Sequence, residues 1–136
     1  MKTPRQAGNV QRYHTTRLIH SENVAQHSWN VVNTVLALTN GQASRALILA
    51  AHLHDAGEVA TGDIPSPVKK ALGLKRKDWD DLEDAAVQAM FPYLQGLDLI
   101  TEQEAHILKV ADNMDGLAKC LEELRMFMRT YTRAAK

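Results

Sequence analysis

The segment LILAAHLHDAGEV places a histidine and an aspartate side by side in apolar surroundings, as His54 and Asp55. Its spacing is helical, and adjacent residues of a helix point about 100° apart. One cation lying between those directions could take an imidazole nitrogen and a carboxylate oxygen. A carboxylate left unpaired there would be expensive, so we expect Asp55 to meet a cation or several hydrogen-bond donors. Glu58, four residues after His54, adds a second carboxylate one turn along the same face.

Two further residues of suitable chemistry come from distant parts of the chain. His27 shares a helical face with Val24, and Asp112 shares one with Leu108. Taken alone, His27 is typical of a hydrogen-bonded core histidine. Asp112 alone, with Asp115 and Lys119 one and two turns along the helix, is typical of a solvated face of ion pairs. Neither residue indicates a site without the others.

Together these residues offer two imidazole nitrogens and two carboxylate oxygens without a thiolate. Such a set favours Mn²⁺, Fe²⁺, Co²⁺, Ni²⁺ or Zn²⁺ over a structural zinc site, which usually includes cysteine. A six-coordinate ion would keep two positions for a water and a phosphate oxygen. We predict one divalent transition metal, bound by His27, His54, Asp55 and Asp112.

The elements that must bring these residues together are predicted to be helices. Apolar residues recur at three- and four-residue spacing nearly throughout, and no alternating β-branched run competes. Pro65, Pro67 and Gly62 force a loop at 61–67. Thr101 and Glu104 form a capping box. The predicted helices are 21–40, capped by Ser21, then 44–59, capped by Ser44, then 68–72, 78–93 with Trp79, Leu82, Ala86, Met90 and Tyr93 inward, and 102–128 with Met114, Leu117, Leu121, Leu124 and Met128 inward.

Bulk composition limits the alternatives. The chain has 136 residues, 45% hydrophobic and 24% charged, and its 16 basic residues balance 16 acidic ones. No overall field therefore steers it to a nucleic-acid polymer or a membrane. Cys120 is the single cysteine, which we expect to pack in the core of a protein from a reducing compartment. We expect an all-α, single-domain helical bundle over residues 1–136, located in the cytoplasm.

Longer segments of the sequence are more specific. ENVAQHS (22–28), HDAGEVATGDIPSPVK (54–69), KVAD (109–112) and KCLEEL (119–124) closely resemble the HD-domain metal-dependent phosphohydrolases, and among them the bacterial 5′-deoxynucleotidases. The resemblance covers roughly Arg12 to Leu124. The order H…HD…D is common to all HD proteins. The extension E-V-x-T-G-D-x-P-x-P, which begins at Glu58, is much narrower.

This resemblance implies an HD-type fold and a role for each matching residue. The metal would be held by the histidines and aspartates already singled out. Glu58 would act as general acid and base, and Arg12 would clamp phosphate with its planar fork. The other substrate-binding residues would be Tyr13, Asp63, Pro65 and Lys69.

The implied reaction is hydrolysis of the 5′-phosphate ester of a deoxynucleoside monophosphate, without a nucleic-acid polymer or membrane as partner. Tyr13 stands where the bacterial enzymes carry tryptophan, and in this and in its length the chain is similar to compact phage dATP triphosphohydrolases. The alternative is therefore release of tripolyphosphate from a dNTP, with the basic segment 69–77 meeting the extra phosphates. A nucleotide-sensing, metal-bound module is the non-enzyme alternative, but it has no need of Glu58 or Arg12. The resemblance indicates a bacterial or phage-infected cell as the source. We also expect a homo-oligomer, a dimer or larger.

Overall fold

The computed structural model describes residues 3–71, 73, 76–94 and 99–134, and it confirms an all-α bundle. The only strands among these residues form one short antiparallel ribbon. In chain order the elements are a 3-10 helix Pro4–Asn9, β1 Gln11–Arg12, β2 Glu22–Asn23, α1 Val24–Leu38, α2 Arg45–Leu53, α3 Glu58–Thr61, α4 Ser66–Ala71, α5 Arg76–Met90, a 3-10 turn Pro92–Leu94 and α6 Glu102–Ala134.

The first helix begins later than predicted. Ser21 is not its cap; Asn23 accepts a hydrogen bond from the Gln26 amide, and the Gln26 side chain accepts one from the Asn23 amide. The reason is the ribbon, in which Gln11 pairs with Asn23 and Arg12 with Glu22. A residue in a strand pair cannot also belong to the helix. The ribbon thus brings Arg12 to the start of α1.

The second predicted helix is interrupted at the His-Asp pair. Ser44 caps α2 as predicted, its Oγ accepting from the Leu47 amide at 3.0 Å. The helix ends at Leu53, however, so the prediction of one continuous helix to residue 59 was wrong. Residues 54–57 form tighter turns, in which amides bond to carbonyls three residues back, as in Ala56 to Leu53 at 2.9 Å. The pair therefore lies on a turn between α2 and α3.

The core has two parts, one on each side of this turn. The first joins α1, α2 and α6 through Val31, Val35, Leu47, Ala51 and Ala111. The second joins α3 to the end of α5 through Ala56, Val59, Met90 and Phe91. The turn that carries the His-Asp pair is thus held from both sides.

Helix α5 buries part of the face that was predicted. Trp79, Ala86 and Met90 are half-buried or buried, but Leu82 and Tyr93 are exposed. The Trp79 indole instead donates to Glu83 Oε1 at 3.1 Å, which also accepts from the Thr61 hydroxyl. The face toward α3 is therefore partly polar, which periodicity of apolar residues does not report.

Helix α6 begins at the predicted capping box, where Thr101 Oγ1 accepts from the Glu104 amide at 3.2 Å. Its buried residues are Ala111, Asp115 and Lys119. The predicted inward stripe was wrong, and so was the buried position of Cys120. The exposed residues are Met114, Leu117, Leu121, Leu124 and Met128, together with Cys120. Polar groups of α6 face the bundle because they serve the site described below.

Gly57 lets α3 approach α5 closely. A methyl carbon on Gly57 would lie 2.5 Å from Glu83 Cβ and 2.9 Å from its Cα, distances that real side chains do not tolerate. Gly57→Ala should therefore lower the free energy of unfolding by about 1–3 kcal/mol, the usual cost of overpacking. Urea denaturation measures this. Gly8→Ala is the matched control, since a Cβ there meets nothing within 4 Å; equal effects of the two changes would contradict the packing argument.

Candidate functional site

The four predicted metal ligands come together from three parts of the fold. His27 projects from α1, His54 and Asp55 from the turn after α2, and Asp112 from α6. His27 Nε2 lies 3.1 Å from His54 Nε2, 3.4 Å from Asp55 Oδ2 and 3.3 Å from Asp112 Oδ1. His54 Nε2 is also 3.4 Å from Asp55 Oδ2. His27, His54 and Asp55 therefore place their ligand atoms close enough together to share one ion, and Asp112 approaches this group through its contact with His27.

Hydrogen bonds on the far side of each ring determine which nitrogen faces this group of ligand atoms. His27 Nδ1 donates to Asp115 Oδ2 at 2.7 Å, and His54 Nδ1 donates to the Ala51 carbonyl at 2.9 Å. In the neutral rings both Nε2 atoms then carry lone pairs, and these lone pairs face each other. A cation between them would remove that repulsion, so the donor set fits a bound divalent metal.

The ionisation of the site reflects the same convergence. Burial lowers the pKa of His27, but hydrogen bonds to Asp112 and Asp115 outweigh burial and raise it to about 9. The hydrogen bond from His27 correspondingly holds the pKa of Asp112 well below its usual range. The carboxylates thus stabilise positive charge at the position where the ligand atoms meet.

Glu58 is a buried carboxylate beside this cluster. It is 3% exposed, its Oε1 accepts from Lys69 Nζ at 3.2 Å, and its Oε2 has no hydrogen-bond partner among the described residues. Burial raises its pKa to about 8, and the charges of Asp55 and Asp63 act in the same direction. A carboxyl group that holds its proton near neutral pH is suited to general acid–base chemistry.

Arg12 reaches the cluster from the strand ribbon. Its Nη1 donates to Asp55 Oδ2 at 2.9 Å. Its Nε lies 3.3 Å from Glu22 Oε2 without the alignment of a hydrogen bond. The guanidinium also lies 5.3 Å from the centre of the Tyr13 ring. A planar cation is thus held next to the predicted metal position, where a phosphate could reach both.

Tyr13 has an unusual backbone. Its φ of 55° is in the left-handed region, which is unfavourable for a residue with a side chain. Its amide donates to Asp63 Oδ2 at 3.0 Å, across fifty residues of sequence. Its hydroxyl lies 3.6 Å from where a Cβ of Gly116 would be. Tyr13 therefore contacts the loop after α3 through its amide and approaches α6 through its hydroxyl.

The predicted site residues, except His27, which is fully buried, line one cleft of about 880 Å³. That volume suits a ligand of nucleotide size. The cleft also includes the predicted Pro65 and Lys69, and an apolar wall formed by Ile64, Pro67, Ile100, Ala105 and Leu108. The structure thus brings every sequence-predicted site residue to one place.

Sequence reasoning missed several neighbours. Asp115 was interpreted as part of a solvated face, yet it is buried against His27. Lys109 donates to Asp112 Oδ2 at 2.9 Å, and Asn113, Thr15 and Thr16 line the cleft. The spacing of Asp112 and Asp115, three residues apart on one helical face, was the available signal.

Comparison with known proteins gives one consistent result. A sequence profile described as 5′-deoxynucleotidase YfbR-like matches residues 4–136. A 5′-deoxynucleotidase of Vibrio vulnificus is 36% identical over 85% of this chain and 69% of its own length. The 5′-deoxynucleotidase YfbR of Escherichia coli is 32% identical, over 85% and 67%. A Photorhabdus temperata relative described in the same way is 33% identical, over 85% and 68%.

Within the part of the chain that the structure describes, no helix combines the length and the apolar character needed to cross a membrane.

The raised pKa of Glu58 predicts a pH dependence of stability in the metal-free protein. The folded pKa is about 8 and the ordinary value is 4.5. Stability from the buried neutral carboxyl is fully present below about pH 4.5 and is lost as the pH rises through about 8. With EDTA present, wild type should therefore lose stability relative to Glu58→Gln across this window, by at most about 1.4 kcal/mol per pH unit. Parallel urea-denaturation profiles of the two proteins would contradict the assignment.

Proposed function

Because the chain belongs to the family of YfbR-like 5′-deoxynucleotidases, we propose that it hydrolyses deoxynucleoside 5′-monophosphates to deoxynucleoside and inorganic phosphate. One observation carries this proposal: the buried acid Glu58 and the cation Arg12 line the same cleft as the convergent histidines and aspartates. A pure metal-stabilised bundle or sensing module would need neither group. We also propose that residues 1–136 form one HD domain, and a cytoplasmic location stays a prediction.

In this proposal His27, His54, Asp55 and Asp112 hold one divalent transition metal. Their nitrogen and oxygen atoms suit Mn²⁺, Fe²⁺, Co²⁺, Ni²⁺ or Zn²⁺ alike. Such an ion supplies Lewis acidity toward the phosphate and the attacking water. Asp115 orients His27 from behind, in the way that a carboxylate commonly orients a metal-binding histidine.

The proton transfers are assigned to Glu58. With a pKa near 8 in the metal-free protein, it starts protonated and can donate to the O5′ atom as the P–O5′ bond breaks. The water that forms the new P–O bond releases a proton, which returns to Glu58. Lys69, whose Nζ bonds Glu58 Oε1, keeps the carboxyl group in position and supplies positive charge toward the phosphate.

The remaining residues bind the substrate in this proposal. Arg12 presents two parallel N–H groups to phosphate oxygens, the geometry for which a guanidinium is suited. Asp63 and Tyr13, linked by a hydrogen bond, would contact the deoxyribose, with Asp63 accepting from the 3′-hydroxyl. Pro65 would complete this wall of the cleft and leave little room for a 2′-hydroxyl.

The triphosphohydrolase alternative depends on the basic segment 69–77. Of its described basic side chains, Lys69 lines the cleft, whereas Lys70 and Lys77 are exposed; Lys77 bonds to Asp81 at 2.7 Å. Lys75 lies outside the described residues. The described lysines therefore favour a monophosphate, and the exposed positions of Lys70 and Lys77 argue against contacts to a longer phosphate chain.

We further propose a homo-oligomer. Helix α6 exposes an apolar face that the bundle leaves uncovered, and exposed faces of this kind mark subunit contacts. Its residues are Met114, Leu117, Leu121, Leu124, Phe127, Met128 and Tyr131.

Product analysis tests the proposed reaction. With Mn²⁺ or Co²⁺, dAMP should yield deoxyadenosine and phosphate, AMP should react far more slowly, and dATP should not yield tripolyphosphate. The Glu58→Gln variant lacks the acid–base group, so its hydrolysis of dAMP should be slower by about 10²–10⁴-fold. Chromatography separates the products. Tripolyphosphate from dATP would support the alternative, and no product from any nucleotide would refute the enzyme assignment.

Elemental analysis tests the metal site. Asp55→Ala should abolish binding because the remaining ligands would face each other without compensating charge. Asp115→Asn should weaken binding by about 10–100-fold, the usual effect of losing an orienting carboxylate. Asp84→Asn, on the exposed face of α5, serves as the control. A folded Asp55→Ala protein with full metal content would overturn the ligand assignment.

A further inference from the structure

The loop between the two strands, residues 13–21, carries one wall of the cleft and has little structure of its own. Tyr13, Thr15 and Thr16 line the cleft. The adjoining strands have only two residues each, and an isolated ribbon of that size is unstable in water. Something else must therefore hold the loop in place.

Two side chains of α6 provide that support. Glu123 accepts from two successive amides of the loop, Ile19 at 2.6 Å and His20 at 3.0 Å. Lys119 donates to the His20 carbonyl at 2.7 Å and to Glu123 at 3.1 Å. For residues 14–20, these are all the long-range hydrogen bonds that the structure describes.

Position on the helix explains why these two residues act together. Lys119 and Glu123 are four residues apart, so their side chains lie one above the other on the same face of α6. Lys119 is 8% exposed despite its charge. A buried ammonium group is retained only where its donors are satisfied. The His20 carbonyl and the Glu123 carboxylate satisfy them.

The contact lies close to the phosphate-binding residue. Glu22 follows His20 by two residues, pairs with Arg12 across the ribbon, and approaches Arg12 Nε at 3.3 Å. Fixing His20 to α6 therefore fixes the strand that positions Arg12. The same helix carries Asp112, so α6 holds in place both the strand that positions Arg12 and one of the proposed metal ligands.

We propose that Lys119 and Glu123 form a latch that positions the loop 13–21, and through it Arg12 and Tyr13, for binding of the substrate phosphate. The inference rests on the proposed function and adds positioning residues to it. Neither side chain lines the cleft, so the latch acts on affinity for the substrate rather than on the chemical step. The hydrogen bonds of Lys119 and Glu123 go to the loop and to each other, and none of them goes to a proposed metal ligand.

The test compares Glu123→Gln with Glu122→Gln, the same change one residue along the helix. Glu123→Gln should raise KM for dAMP about tenfold, the scale of a lost hydrogen bond to a charged group. It should leave kcat within about threefold and metal content unchanged. Glu122→Gln should match wild type, because Glu122 accepts no hydrogen bond among the described residues.

A second measurement does not need activity. Arg17 is exposed in the loop, so trypsin cleavage after Arg17, followed by mass spectrometry, should be about tenfold faster in Glu123→Gln. If that variant does not fold, Lys119→Met should show the same pattern at smaller size. Wild-type KM together with wild-type cleavage at Arg17 would overturn the latch. Absence of dAMP hydrolysis by wild type would refute the proposed function, while the cleavage data would still decide the latch.

Discussion

The buried hydrogen bond between His27 and Asp115 determines the arrangement of the rest of the site. His27 has no accessible surface, so its ring cannot turn without disturbing the core of α1, α2 and α6. Because Asp115 occupies Nδ1, the opposite nitrogen must meet His54, Asp55 and Asp112. A hydrogen bond between two helices that are distant in sequence thus determines which nitrogen of His27 faces the cluster.

The site concentrates carboxyl groups, one of them protonated, in a way that a purely structural bundle would avoid. Glu22, Glu58 and Asp115 are all buried, and Asp55 and Asp112 are half-buried beside them. Burying carboxylates is costly unless cations or donors compensate. Arg12, Lys69 and Lys119 supply part of that compensation. The negative charge that remains uncompensated explains why His27 attracts a proton and why the cluster is suited to a divalent ion.

The features predictable from the sequence are those with a local signal. Helical spacing predicted the all-α class, and the capping residues Ser44 and Thr101 predicted two helix starts. The His-Asp pair marked the position that His27 and Asp112 also approach. Errors arose where a distant contact overrides a local preference. Ser21 does not cap the first helix, because the residues that follow it form a strand pair. The apolar stripe of α6 is exposed, because polar residues of that helix face the site.

Asp115 and Glu123 illustrate the same limit. Their partners His27 and His20 lie 88 and 103 residues away in the sequence. No spacing within α6 reports such contacts. The resemblance to a family supplied the proposed roles of the cleft residues, but the residues that hold them in place became visible only in three dimensions.

The left-handed backbone of Tyr13 has a consequence for how this site can change. A side chain in that conformation costs on the order of 1 kcal/mol or more, which glycine would avoid. Glycine at position 13 would therefore make the protein more stable, but it would remove the ring beside Arg12. The protein therefore keeps the aromatic ring of Tyr13 at a cost in stability, as strained residues at functional sites commonly do.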